Sequence, residues 1–350
     1  MGKRVVVTGG TGSLGNALVK LLLSGELGLP ERITVFSRDE AKQHAMRIEL
    51  TARHGATDDI IYDPSHRVLG FRIGDVADYP SICAVLRDAD AVFHAAPLKQ
   101  VPTCEYFPDQ AVRTNVNGPS NVVRAIREHR LPVQGVVAVS TDKACRPVNV
   151  MDMTKAVQER ITVQANLDCG DTRFVLARYG NVLASRGSVV PLFREQIRQG
   201  GPVTVTLPEM TRFLKSMDWA VDTVFEAARH ARPGEIYIPR LESARVVDLA
   251  GALIGDRAID MRFTGIRPGE KLHEVMISDD QAYRTVDRGE YLAIQPLLPE
   301  LRKGPPDLPC VDREYSSADR LMTDRTLQAL LREQRLLQED RPPASADQPR

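Results

Sequence analysis

Residues 4–15 read RVVVTGGTGSLG. A β-branched run of this kind favours a strand, and its abrupt end in glycine predicts a tight strand-to-helix turn. Gly9, Gly12 and Gly15 stand three residues apart. Between a strand and a helix, glycine at such positions permits the turn, close approach of backbone to a pyrophosphate, and close helix–strand packing. The helix N-terminus that follows offers free N–H groups and a positive dipole to the anion. The stretch predicts a dinucleotide-binding unit, with Gly9, Thr11, Gly12, Ser13, Leu14 and Gly15 around the cofactor phosphates.

Working outward, strand-like runs recur at ITVF (33–36), VLGFRIGD (68–75), ADAVFHAA (89–96), VQGVVAVS (133–140) and TRFVLARYG (172–180), separated by helical stretches such as 109–129 and 152–167. Strands alternating with helices imply an α/β fold with a Rossmann-type, doubly wound parallel sheet. Residues 1–180 are expected to form this NADP-binding domain. Beyond 180 the pattern loosens. GPVTVT (201–206) and GEIYIP (234–239) read as strands, and 246–254 and 270–277 as helices. Residues 181–335 are expected mainly to form a smaller C-terminal substrate-binding lobe, with 217–240 returning to the large domain. The polar, Pro-rich residues 336–350 are expected to be a disordered tail.

The chain has 350 residues, with Lys+Arg and Asp+Glu both 46. Balanced charge argues against an electrostatic nucleic-acid binder. No apolar run reaches the roughly 18 residues of a membrane span, and the N-terminus lacks a signal-peptide pattern. Five scattered cysteines without a CxxC pair suit a reducing cytoplasm and argue against a zinc site. No metal is expected.

The second strand ends in Ser37-Arg38-Asp39. Arginine there suits a 2′-phosphate, because its guanidinium forks onto phosphate. NADP is therefore the expected cofactor, with Asp39 leaving NAD open. Asp75, beside Val76 in GDVAD, is placed to bond the adenine amino group, or else to cap the next helix. Ala95, in HAA at 94–96, closes the fourth strand beside the cofactor.

Residues 140–155 read STDKACRPVNVMDMTK. Lys155 stands four residues after Met151, a spacing that places both on one helix face. Methionine cannot transfer a proton. Thr141, Asp142 and Lys143 gather where the fifth strand ends. A carboxyl group beside an amine can divide acid and base work, as elimination of water requires. On those two residues alone, a solvated turn pair is the bland alternative.

This segment, with FSRDEAKQ (36–43), HAAPLKQVPTCEYFP (94–108), TNVNG (114–118), RYGNVLASRGSVVPLF (178–193), MTRF (210–213) and RPGEKLHE (267–274), resembles the UDP-N-acetylglucosamine 4,6-dehydratases of the extended short-chain dehydrogenase/reductase superfamily. The resemblance runs from residue 3 to about 330. It is nearest to capsule and O-antigen members that also invert carbon 5 and carry methionine in place of the tyrosine of YxxxK.

The resemblance implies oxidation of carbon 4 by NADP, removal of the carbon-5 proton by Lys143, and protonation of the departing carbon-6 hydroxyl by Asp142. Hydride return to carbon 6 and reprotonation of carbon 5 on the other face would follow. Thr141 would bond the carbon-4 oxygen, and Lys155 would hold the nicotinamide ribose and help accept the carbon-4 hydroxyl proton. Asn115 and Lys99 would lie along the cofactor, with Lys99 also at the mouth of the site. Asn181, Val189, Thr204, Arg212, Arg267 and Glu270 are implied substrate contacts, the arginines for phosphate and Glu270 for the uridine ribose. Asp152, where the family has glycine, would cap the following helix; Pro97, in a segment that elsewhere reads HAAALK, would stiffen the loop carrying Lys99.

The expected substrate is UDP-N-acetylglucosamine or a close UDP-amino sugar, and the expected assembly a homo-oligomer, dimer or hexamer. A UDP-sugar 4-epimerase shares the fold and first oxidation but does not need the elimination pair. A catalytically silent NADP-binding regulator is the remaining alternative.

Overall fold

The β-branched run of residues 4–8 forms β1 (Arg4–Thr8), and its alternating side chains decide the layering. Val5 and Val7 enter one apolar core, Val6 the other. The same alternation repeats at Ile33 and Val35 against Phe36, and at Val175 and Ala177 against Phe174. Strands apolar on both faces are what a sheet covered by helices on both sides demands. The computed structural model describes residues 3–26, 28–51, 68–183, 185, 187–302 and 307–337.

The strands β1, β2 (Arg32–Ser37), β3 (Leu69–Ile73), β4 (Ala91–His94), β5 (Gly135–Thr141) and β6 (Arg173–Tyr179) pair in parallel in the order β3-β2-β1-β4-β5-β6. This is the Rossmann-type doubly wound order, whose direction reverses between β1 and β4. Helices Ser13–Ser24 and Met217–His230 bury Leu18, Leu22, Val224 and Phe225 against one face. Helices Tyr79–Leu86 and Gly118–His129 bury Ile82, Leu86, Val122 and Ile126 against the other. Each such side chain contributes about 1.5–3 kcal/mol on full burial.

Two units compose the chain: Met1–Gly180 with Met217–Arg240 and Val275–Ser316, and Asn181–Ser216 with Leu241–Glu274 and Ser317–Arg350. Strand Ile236–Pro239 joins β6 in parallel within the large unit. Residues 275–316, expected in the smaller lobe, also belong to the large unit. Their strands Tyr291–Ile294 and Thr285–Arg288 extend the sheet antiparallel, so it is not parallel throughout.

The expected helix at 270–277 is absent. Gly269, at φ +79°, turns the chain, and Val275–Ile277 is a buried strand paired with Tyr315–Ser316. Long-range pairing of branched side chains prevails there over local helical propensity.

The smaller unit has its own core, in which Phe193, Leu249, Leu253, Leu327 and Leu331 meet. Leu336 also packs there, 5% exposed, so the expected tail does not start at that residue. Residues 338–350 of the expected tail lie outside the described residues. No helix among the described residues is long and apolar enough to cross a membrane.

Candidate active site

The carboxyl ends of β1, β2, β3, β4 and β5 carry most of the predicted groups of the large unit, and Asn115, Met151 and Lys155 lie on helices. Gly9 leaves β1 at φ +67°, where a Cβ would lie 2.2 Å from the Ala95 carbonyl oxygen. A Cβ on Gly15 would lie 2.4 Å from the Gly9 oxygen. Helix Ser13–Ser24 begins after Gly12 without a side-chain cap. A helix N-terminus without a side-chain cap, beside backbone too close for any side chain, fits a dinucleotide pyrophosphate.

Ser37, Arg38 and Asp75 lie at the ends of β2 and β3, also in the large unit. The Gln43 amide donates to both the carbonyl and the hydroxyl of Ser37, at 3.0 and 3.1 Å. Arg38 is exposed and pairs with Asp75 at 3.3 Å. Asp75 accepts from the Ala77 N–H, whereas Asp78 caps helix Tyr79–Leu86. Val76 is buried, and its carbonyl accepts from Asn121. The Ala95 N–H continues the ladder to the Thr8 carbonyl.

At the switch between β1 and β4, Thr8 Oγ1 lies 3.0 Å from His94 Nδ1. Burial, with the Lys155 charge adding to it, pushes His94 down to about 3, so its ring is neutral near pH 7.

Strand β5 ends at Thr141, and a single 3₁₀ turn, Asp142–Ala144, follows. The Thr141 hydroxyl donates to Asp142 Oδ1 at 2.8 Å, and Lys143 Nζ donates to the same oxygen at 3.0 Å. Asp142 is fully buried, while the Lys143 side chain is 23% exposed. The bland alternative of a solvated pair therefore fails for the carboxylate.

Helix Val150–Asp168 is capped by Asn149, whose side chain accepts from the Asp152 N–H. Asp152 is not the cap. It is a buried first-turn acid, where the helix dipole favours a negative charge. Met151 is 4% exposed and packs with Cys104 and Ala111, contributing apolar contact rather than a proton.

Lys155 projects inward. Its Nζ donates to the Val139 carbonyl at 2.6 Å and to the Gln158 side chain. Burial pushes it down to about 8 despite the opposing charge of Glu159. Asn115 lies in a π-helical turn, Arg113–Asn117, a feature frequent at functional sites. Its amide exchanges two hydrogen bonds with the Leu98 backbone and donates to Thr154, bracing the loop that carries the exposed Lys99.

Asn181, Val189, Thr204, Arg212, Arg267 and Glu270 all lie in the smaller unit. Arg212 donates to the carbonyls of Thr211, Lys271 and Leu272 and lies 3.8 Å from Glu274. Thr204 exchanges hydrogen bonds with Gln196. Val189 begins helix Val189–Arg198, Asn181 lies in a two-residue strand, and Arg267 and Glu270 share a turn.

Sequence reasoning missed the buried group behind β5. Arg178, 0% exposed, holds Glu159 through two nitrogens at 2.9 and 2.6 Å, and Glu159 accepts from Ser140 at 2.6 Å. Glu159 could have been found as the acid four residues after Lys155 on the same helix face. Nothing local marks Arg178 as its partner.

A family profile described as polysaccharide biosynthesis protein matches residues 5–296. A UDP-glucose 4-epimerase of Rickettsia akari is 42% identical over 297 residues, 83% of this chain and 82% of the relative. Among solved structures, Pen from Bacillus thuringiensis superposes with a TM-score of 0.84 at 30% identity, covering 96% of this chain and 98% of that one. The dTDP-glucose 4,6-dehydratase DesIV of Streptomyces venezuelae, solved with NAD, shares the fold at a TM-score of 0.65 and 22% identity, over 77% of this chain and 86% of that one. With the glycine loop, the strand order and these likenesses in agreement, the chain belongs to the polysaccharide biosynthesis protein family, among the sugar-nucleotide epimerases and dehydratases.

Proposed function

We propose that the chain is a UDP-N-acetylglucosamine 4,6-dehydratase that also inverts carbon 5, yielding a UDP-2-acetamido-2,6-dideoxy-hexos-4-ulose for polysaccharide or other glycoconjugate biosynthesis. The observation that carries this reading is the Asp142–Lys143 pair at 3.0 Å, one partner buried and one reaching the surface, together with an apolar Met151 where a tyrosine would act. A bound nicotinamide dinucleotide, NADP in this proposal and NAD as its alternative, supplies reversible hydride exchange with the sugar.

The chain's own residues manage the protons. Lys143 takes the proton from carbon 5, which is acidic beside a carbon-4 ketone, and Asp142 gives one to the hydroxyl leaving carbon 6. The two groups share a hydrogen bond, so the proton gained by Lys143 can pass to Asp142 and reset the pair, while carbon 5 takes its new proton from solvent on the opposite face and the proton accepted by Lys155 returns to solvent. Thr141 orients the carbon-4 oxygen. Burial of Lys155 makes its neutral amine accessible near physiological pH, which suits acceptance of the carbon-4 hydroxyl proton. Asn181, Val189, Thr204, Arg212, Arg267, Glu270 and Lys99 are proposed for the UDP-sugar. Arg267, which is exposed, is better suited to clamp phosphate than Arg212, whose donors serve three carbonyls.

A second reading, 4-epimerisation of a UDP-sugar, is favoured by the name of the Rickettsia relative. Proton NMR of the protein with UDP-N-acetylglucosamine in deuterated water separates the two. A new carbon-6 methyl signal with deuterium and inversion at carbon 5 supports the proposal. UDP-N-acetylgalactosamine without a methyl signal establishes the epimerase instead.

A further inference from the structure

We infer that Gln281, acting with the buried Glu159–Arg178 pair, is a positioning residue that aims the Asp142–Lys143 pair from a distant part of the chain. The inference rests on the proposal that this pair is the reacting one.

The short turn bearing Asp142 and Lys143 is held at both ends. On its N-terminal side, Ser140 donates to Glu159 at 2.6 Å, and Glu159 is fixed in turn by two nitrogens of Arg178. On its C-terminal side, the Cys145 N–H donates to the Asp142 carbonyl, and Cys145 Sγ lies 3.6 Å from Gln281 Oε1. The next residue, Arg146, adopts φ +52° and pairs with Asp279 at 2.9 Å and Glu314 at 2.5 Å. A non-glycine residue persists in that conformation only where its surroundings over-determine it.

Both holds converge on one atom. Gln281 Oε1 accepts from Arg178 at 2.9 Å and from the Ser278 N–H at 3.4 Å, besides facing Cys145. Arg178 also donates to the Met276 carbonyl at 2.7 Å. A buried guanidinium is stable only with its donors satisfied and its charge balanced. Arg178 therefore cannot move without disturbing Ser140 on one side of the reacting pair and Gln281 on the other. Gln281 is 6% exposed and sits in a capping box, Ser278 to Gln281, so its own orientation is set locally. A reacting carboxylate displaced by about 1 Å loses on the order of 100-fold in rate, which is the effect such a double hold prevents.

The test compares wild type with Gln281→Leu, which removes the shared acceptor, Gln281→Glu, which keeps an acceptor oxygen, and Arg146→Ala, a change at a half-exposed side chain. Three quantities are read: hydrogen exchange by mass spectrometry, site-resolved alkylation of Cys145, and kcat and KM with UDP-N-acetylglucosamine. In Gln281→Leu and Arg146→Ala, exchange across 140–146 and alkylation of Cys145 are expected to rise about tenfold, with the peptide of β1 unchanged. In Gln281→Leu, kcat is expected to fall roughly 100-fold with KM within about twofold, and Gln281→Glu to recover most of the loss. Unchanged exchange and alkylation in both loosening variants, or a kcat in Gln281→Leu of at least half the wild-type value, overturns the inference. Faster exchange and alkylation in a protein that turns over no sugar nucleotide supports the hold and refutes the proposed reaction.

Discussion

Lys143 Nζ and the Thr141 hydroxyl both donate to one oxygen of the fully buried Asp142, at 3.0 and 2.8 Å. This arrangement ties the carboxyl group to its two neighbours and away from solvent. Asp142→Asn and Lys143→Ala are each expected to lower turnover by a factor of about 10²–10⁴, with dinucleotide still bound because the glycine loop is untouched. Absorbance of bound nucleotide and product NMR check both halves. Dehydration that survives in both variants refutes the assigned roles.

Met151 packs against Cys104 and Ala111, and a tyrosine there must fit a larger ring and a hydroxyl into an apolar cluster. Met151→Tyr is expected to lose about 1–3 kcal/mol of stability by overpacking and to gain no activity. Urea titration and a turnover assay measure these effects. A wild type that stays inert until the tyrosine is supplied sinks the argument that the acid–base work lies in Thr141, Asp142 and Lys143.

Buried His94 titrates near 3 in the folded chain and near the ordinary 6.5 when unfolded. Between those values the unfolded state binds more protons, so stability falls as pH falls through this window. The loss is bounded at roughly 5 kcal/mol. A His94→Gln variant is expected to lose less stability than wild type between pH 6.5 and 3, measured by denaturant unfolding at several pH values. Parallel pH dependence in the two proteins contradicts a buried neutral His94.

Arg38 is exposed and pairs with Asp75 at 3.3 Å, a contact a 2′-phosphate can displace. Arg38→Ala is expected to weaken NADP about 10- to 100-fold, the scale of one or two charge-assisted bonds, and NAD far less. Calorimetric titration with each nucleotide decides. Equal losses for both nucleotides remove the preference for NADP.

Glu159 neutralises Arg178 in a fully buried site. Glu159→Gln leaves the guanidinium charge uncompensated and is expected to cost about 3–5 kcal/mol, seen as a lowered urea midpoint. A midpoint within experimental scatter of wild type shows that the pair does not carry the charge balance assigned to it.

The Rossmann-type half was legible because its signals are local. Alternating apolar residues within one strand assign the two faces of the sheet, as Val5, Val6 and Val7 show. Gly9 and Gly15 mark the tight strand-to-helix turn because steric exclusion at those positions admits no side chain. The Asp142–Lys143 pair stood out in the sequence through the family resemblance, since adjacency alone left a solvated turn pair open, and only the structure showed that Asp142 is buried.

What the sequence by itself determined is therefore the alternation of strands and helices and the glycine loop, each governed by neighbours a few residues apart. Only the tertiary structure decided that residues 275–316 return to extend the sheet, that Asn149 rather than Asp152 caps helix Val150–Asp168, and that Gln281 reaches Arg178 across 103 positions of sequence. Local spacing carries no record of such choices, because they follow from which distant backbone and buried charge offer the better partner once the chain has collapsed.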